Sequence, residues 1–295
     1  MTGRIIPWSL VSRGTPLRFL PLALVFMILP GCDRLDDLGE QASDFVISFV
    51  PTSIDEQLGA TGLEQMRGGG TAFVDDPRVN RTIETLAAPL IEAAQRDLQV
   101  PYQIHVTADP TVNAYALPGG AIILPAGFLL FAEGPDEVAG VLAHEVAHIS
   151  ERHSMQRAIT GIGLQLALTL VLQDASAVAQ YFVVQGASLL TLAHSREHER
   201  EADRLGYRYL VEAGIDPSGL ADFFRRLAAR QGDEDASGLP RELENMLRTH
   251  PVTQERIGTL AALSRGRPGA PGEPAVSLQE FREMQRSLAE IVDAP

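Results

Sequence analysis

Apolar residues recur at spacings of three and four over Val79, Ile83, Leu86, Leu90 and Ile91, following a start signal at Asp76-Pro77. This one-sided stripe predicts an amphipathic helix running to about Leu98. The period then changes. Ile104 and Val106 alternate with polar neighbours between Tyr102 and Ala108, and two β-favouring runs flank Pro118-Gly119-Gly120 between Val112 and Leu124, which predicts a small sheet with a hairpin. Helical spacing returns after Pro135: Val138, Val141, Leu142 and Ile149 define a buried stripe, and Asp136 and Glu137 suit the positive N-terminal end of its helix. Further helices are predicted from Ser195 to Ala213, stopped by Gly214, from Asp216-Pro217 to about Arg230, and from Thr253 to about Ser264. A short helical segment precedes His250-Pro251, and the last twenty residues carry an amphipathic pattern. Many helices around one small sheet make the fold class α+β and mainly helical.

Other stretches lack a clean period. Residues 33 to 70 are mixed and polar, end in three glycines, and read as a tether with a short helix. Between Ile159 and Ala193 lie two mostly apolar segments divided by Gln173-Asp174, each interrupted by glutamines and small residues. They fit buried helices, or an apolar surface facing lipid or an unfolded client, better than a membrane span. Arg265 to Ala275, with its alternating prolines and glycines, reads as a linker.

The charge balance narrows the partners. With 24 Lys+Arg against 38 Asp+Glu the chain is acidic, which argues against a sequence-independent grip on nucleic acid. Arg4, Arg13 and Arg18 precede an apolar run from Phe19 to Leu29, the pattern of an export signal. Its ending, Leu29-Pro30-Gly31-Cys32, resembles a bacterial lipoprotein cleavage box, so Cys32 is the expected lipidation site and the mature chain is expected to be a periplasmic lipoprotein on either the inner or the outer membrane. Cys32 is the one cysteine in the 295 residues, so an internal disulfide, a thiolate-rich zinc site and a cysteine nucleophile in the folded domain are excluded.

The strongest chemical signal is His144-Glu145-Val146-Ala147-His148, an HExxH pattern on the helix predicted from Val138 to Ile149. Histidines four apart share a helix face, so two imidazoles can bind one zinc while Glu145 projects beside it as general base. The elongated pattern that adds a third histidine downstream fails, since Glu151 and Ser154 stand where it needs Gly and His. His153 is one place out of register and reads as an exposed helix residue. Glu199 is the better third ligand. It lies four before Asp203 on a separate predicted helix where Ala202 and Gly206 permit close approach, and Asp203 can accept a hydrogen bond from a ligand imidazole. The competing reading is a solvated acidic face, because Glu197, Glu199 and Glu201 alternate with His198, Arg200 and Arg204.

Four segments in order resemble the M48 family of zinc metallopeptidases: Asn113 to Gly120, His144 to His148, Ser195-Arg196 leading to Glu199-Arg200-Glu201-Ala202-Asp203, and His250-Pro251 followed by Arg256. Within the family the chain looks closest to the compact periplasmic lipoprotein group of BepA-like and LoiP-like proteases without a tetratricopeptide repeat domain. The resemblance implies a gluzincin-type domain over residues 76 to 264, after a lipoprotein-type signal peptide (1 to 31) and a tether (32 to 75), and before a Pro/Gly linker and C-terminal helix (265 to 295). It implies one Zn2+ per chain on His144, His148 and Glu199, with Glu145 as base and Asp203 beside the ligands. It also implies an edge strand around Asn113, Ala114 and Tyr115 that pairs with extended substrate. His250 and Arg256 match positions that stabilise the oxyanion in some members, and in latent members the equivalent of His250 closes the open zinc position. The function so implied is an endopeptidase acting on unfolded or misfolded envelope polypeptides, with contact to the outer-membrane assembly machinery as a further partner. The alternative is a latent or non-catalytic zinc-binding envelope chaperone.

Overall fold

The computed structural model describes residues 47–162, 193–232, 241–266, 272 and 274–293. Cys32 and the export signal, and almost all of the apolar stretch from Ile159 to Ala193, lie outside the described residues. Ten α-helices are found among the described residues: α1 (Thr52–Gly68), α2 (Pro77–Ala94), α3 (Ala126–Phe131), α4 (Pro135–Ser150), α5 (His153–Ile162), α6 (Arg196–Glu212), α7 (Ser218–Gly232), α8 (Arg241–Thr249), α9 (Gln254–Arg265) and α10 (Leu278–Val292). They surround a three-stranded sheet of β1 (Gln103–Thr107), β2 (Tyr115–Ala116) and β3 (Ala121–Pro125) in the order β1-β3-β2. β1 runs parallel to β3 and β2 antiparallel to it, with Tyr115 opposite Ile123. The predicted hairpin is therefore present and the mainly helical α+β class holds. None of the described helices is long and apolar enough to cross a membrane.

α4 is the axis of the fold. Pro135 starts it, Asp136 and Glu137 occupy its first turn, and nearly every side chain from Glu137 to Ile149 is buried. A helix buried all round must be covered on all sides, and α2, α6 and α7 supply that cover. Two glycines permit the closest approaches. A Cβ on Gly140 would lie 2.5 Å from the Leu220 backbone on α7, and one on Gly206 of α6 would lie 3.1 Å from the backbone of Ala143 and His144. The small-residue surface expected at Ala202 and Gly206 is thus where α6 meets α4. Inside α4's first turn Glu137 takes a bidentate bond from Arg226 of α7 (2.9 and 2.6 Å), which pairs a buried carboxylate.

Two helices outside residues 76 to 264 pack onto the fold. The stretch read as a tether holds a 17-residue helix, α1, seated on the Pro118–Gly120 turn. Gly119 there has φ +76° and leaves room for Glu56, and a Cβ on Gly59 would meet Pro118 O at 2.1 Å. The polar composition obscures the length of this helix, because it buries only a narrow stripe that includes Ile54, Leu58 and Leu63. The C-terminal helix α10, capped by a Ser277/Glu280 capping box, is no appendage. It sinks Phe281, Met284 and Leu288 into the same core as α2, α4 and α7.

Candidate metal centre

α4 presents His144, Glu145 and His148 to α6, which presents Glu199 and Asp203; all five are buried. The Nε2 atoms of His144 and His148 lie 3.0 Å apart. The Glu199 carboxylate faces both, with Oε2 3.5 Å from His144 Nε2 and Oε1 3.4 Å from His148 Nε2. A tetrahedral metal with bonds of about 2.0–2.1 Å holds its ligand atoms about 3.3 Å apart. These three groups therefore have the spacing of a His₂Glu metal site, and their chemistry, two imidazoles and a carboxylate, is that of catalytic zinc centres.

His250 stands at the fourth corner. Its Nδ1 lies 3.1 Å from Glu199 Oε1 and 3.4 Å from His144 Nε2. One atom from each of His144, His148, Glu199 and His250 falls within 4.8 Å of the others. Glu145 projects beside this group, and neither of its oxygens has a hydrogen-bond partner; His250 Nε2 is 3.5 Å away. Burial raises the Glu145 carboxyl above the usual range against the opposing pull of His250 and His144, which moves a base toward the neutral pH at which it would work.

The surrounding polar groups fix the ligand rings. His144 Nδ1 lies 3.1 Å from Asp203 Oδ1. Burial depresses the His144 imidazole, but Asp203 and Glu199 outweigh it and raise it to about 9 in the absence of metal. Arg256 grips Asp203 with Nε and Nη2 (2.7 and 2.8 Å), reaches Glu199 Oε2 with Nη1 (2.5 Å) and donates to Pro251 O. Its guanidinium is thus directed at the two carboxylates of α6 rather than at open space near Glu145. Thr253 caps α9 and so starts the helix that carries Arg256.

The edge strand is shorter than expected. Regular pairing covers Tyr115 and Ala116 alone, in an edge strand that pairs with no further strand among the described residues. Ala116 O accepts a bond from Ser154 Oγ on α5 (2.8 Å). Asn113 is bonded through Oδ1 to Thr249 Oγ1 (3.4 Å), next to His250, and Ala114 is buried. Tyr115 turns toward α1 and Met66. Cys32 lies outside the described residues.

His153 corrects an expectation. It is fully buried, and its Nδ1 is 2.8 Å from His148 Nδ1. It starts α5 just after Arg152, whose positive φ of 55° reverses the chain. Arg152 is pinned in that conformation by an ion pair to Asp55 of α1 and a bond to Ile47 O. The register of the elongated motif excludes His153 as its third histidine but does not report burial, which depends on the chain reversal at Arg152. His194 and His198 were not anticipated either. His194 stacks on His148 (centroids 3.8 Å, 24°) and His198 on His153 (4.2 Å, 16°). Six of the chain's seven histidines meet here, leaving only His105 elsewhere.

Comparison with known proteins agrees with this geometry. The sequence profile of Peptidase family M48 matches residues 75–264. A putative beta-barrel assembly-enhancing protease of Vibrio cholerae serotype O1 is 30% identical over 236 residues, covering 76% of this chain and 46% of that protein. The beta-barrel assembly-enhancing protease of Yersinia pestis is 28% identical over 266 residues, 86% of this chain and 51% of that one. The mitochondrial metalloendopeptidase OMA1 of Schizosaccharomyces pombe is 34% identical over 161 residues, 53% and 44% of the two chains. The chain spans about half the length of the curated relatives it matches. The profile covers more than half of the 295 residues and takes in all four motif segments, and on that ground the chain belongs to peptidase family M48.

Proposed function

We propose that the chain is a zinc-dependent endopeptidase, with His144, His148 and Glu199 holding one Zn2+ and Glu145 acting as general base. The observation that carries this reading is the convergence of two imidazole nitrogens 3.0 Å apart and a carboxylate that sets one oxygen 3.4–3.5 Å from each, beside a buried carboxylate that no hydrogen bond engages. A structural site has no use for such a carboxylate. Zinc held there supplies Lewis-acid chemistry, polarising a carbonyl and lowering the pKa of water toward about 7. Glu145 takes the proton from the attacking water and hands it to the leaving amine. Asp203 fixes the His144 ring, and Arg256, which we assign as a positioning residue, fixes Asp203 and Glu199.

Residues 76 to 264 are proposed as the catalytic domain, with α10 completing its core. The edge strand at Tyr115–Ala116, with Asn113 and Ala114 before it, is the proposed track for an extended substrate held by main-chain pairing. Such pairing ignores side chains, which suits unfolded or misfolded envelope polypeptides as substrates. The relatives named for beta-barrel assembly suggest outer-membrane protein assembly as the setting, and lipidation at Cys32 would tether the chain to a membrane. His250 favours a second element in the reading: placed at the fourth corner, it keeps the site latent until it withdraws.

The test is digestion of casein by the soluble chain, residues 33 to 295, with and without chelator. Cleavage that chelator abolishes and zinc restores is expected. Zinc bound at one per chain with no cleavage, even in His250→Ala, would instead support the non-catalytic chaperone reading.

A further inference from the structure

The two histidines of the candidate centre are supported differently. His144 Nδ1 meets a carboxylate directly, at Asp203. His148 Nδ1 meets another imidazole, His153 Nδ1, at 2.8 Å, and His153 Nε2 lies 3.3 Å from Glu201 Oε2. Proton roles along this chain follow from the ligand assignment. If His148 Nε2 faces the metal, its proton sits on Nδ1 and is donated to His153 Nδ1, which must then be the bare nitrogen. His153 consequently carries its proton on Nε2 and donates it to Glu201. Every nitrogen has one role, and the chain ends on a carboxylate at the protein surface.

We infer that His153 is a positioning residue for metal binding, holding the His148 ring and its tautomer and relaying that constraint from Glu201. Three further observations fit. His153 is fully buried, on the same helix as the buried Met155, Ala158 and Ile159. The rings of His194 and His198 stack on His148 and His153 respectively, which fixes both ring planes. The Arg152–Asp55 ion pair holds the reversed turn that brings α5 back to α4, so that His153 can reach His148 at all. The inference rests on the proposed metal site and adds to it a ring of support that the ligand motif does not contain.

A competing use of the same atoms is a second cation site, since His148, His153 and His194 each bring a ligand nitrogen within 4.8 Å of the others. That use would require His148 to give up both ring protons. A neutral imidazole bound through Nε2 keeps its one proton on Nδ1, and 2.8 Å is the length at which that proton is shared with His153 Nδ1.

The experiment measures zinc affinity and stoichiometry of the purified soluble chain by competition with a chromophoric chelator, for wild type, His148→Ala, His153→Leu, His153→Asn and Glu201→Leu. Removal of such support costs about 10–100-fold in metal affinity. His153→Leu is expected to weaken zinc binding by that factor, Glu201→Leu by less, and His153→Asn, whose amide oxygen can take the Nδ1 role, to recover most of the loss. Thermal unfolding of the metal-free variants separates this from damage to the fold, for which the half-exposed Glu201 is the milder site of change. Nitrogen-15 spectra of the zinc-loaded wild type should give His148 protonated on Nδ1 and His153 on Nε2. The inference is overturned if His153→Leu binds zinc as wild type does, if His153 carries its proton on Nδ1, or if two zinc ions bind per chain. A wild type that binds no zinc, or a His148→Ala chain that binds it undiminished, would bring down the metal site itself.

Discussion

The His250 imidazole spans the two acidic groups of the centre: Nδ1 lies 3.1 Å from Glu199 Oε1 and Nε2 lies 3.5 Å from Glu145 Oε1. One side chain thus covers both the open corner of the metal site and the group assigned as base. An arrangement of this kind lowers activity to the fraction of molecules in which the site is open, so removing the closure raises activity by the reciprocal of that fraction. His250→Ala is therefore expected to raise casein turnover by about that factor. A loss of turnover at unchanged zinc content would mean that His250 serves the reaction.

Arg256 is buried between Asp203 and Glu199 and bonded to both. Removing one partner of a buried ion pair leaves the other charge uncompensated and costs roughly 3–5 kcal/mol. Arg256→Met should lower the melting temperature by on the order of 10 °C. Arg256→Lys should rescue little, because an ammonium cannot make the paired bond to Asp203. Calorimetry of the metal-free chains checks both.

In the metal-free chain the His144 imidazole is raised to about 9: burial acts against its charge, and Asp203 and Glu199 more than offset burial. Metal must displace that proton. Zinc affinity should accordingly fall about tenfold for each unit of pH below 8, with about one proton released per zinc in titrations across buffers of different ionisation enthalpy. The same shift acts oppositely on the empty chain. The stability it contributes there is fully present below the unfolded imidazole's pKa of about 6.5 and is lost as pH rises through about 9.

The α4–α6 approach is set by Gly206, where a Cβ would sit 3.1 Å from the backbone of Ala143 and His144. Gly206→Val should push the helices apart, cost about 1–3 kcal/mol and loosen zinc by moving Glu199 and Asp203 away from His144. Gly258 on α9, where a Cβ would meet nothing within 4 Å, is the control: Gly258→Ala should be neutral or stabilise by up to about 1 kcal/mol. Chemical denaturation of the two variants tests the contrast.

Much of this was legible in the sequence, and the parts that were not share a physical cause. The stripe Val138, Val141, Leu142 and Ile149 announced α4, and the four-residue spacing of His144 and His148 and of Glu199 and Asp203 put each pair on one helix face. Local periodicity carries that information. It does not carry chain reversals: Arg152 at φ 55° is an arginine in a conformation that favours glycine, and without that turn His153 reads as exposed. Nor does it carry long-range stacking, so His194 and His198 looked like ordinary residues before and within a charged helix. The short helix read in residues 33 to 70 gives no sign of its full length or its docking, because polar residues fill all but a narrow face and its partner, the Pro118–Gly120 turn, lies about fifty residues away.

The account rests most heavily on Glu145. Casein turnover should be measured for wild type, His250→Ala, Glu145→Gln and the double variant His250→Ala/Glu145→Gln, all brought to one zinc per chain. Loss of the base alone should cost about 10²–10⁴-fold while zinc content and melting temperature stay as in the parent. Chelator-sensitive cleavage at the parental rate in either Glu145→Gln chain would contradict the account.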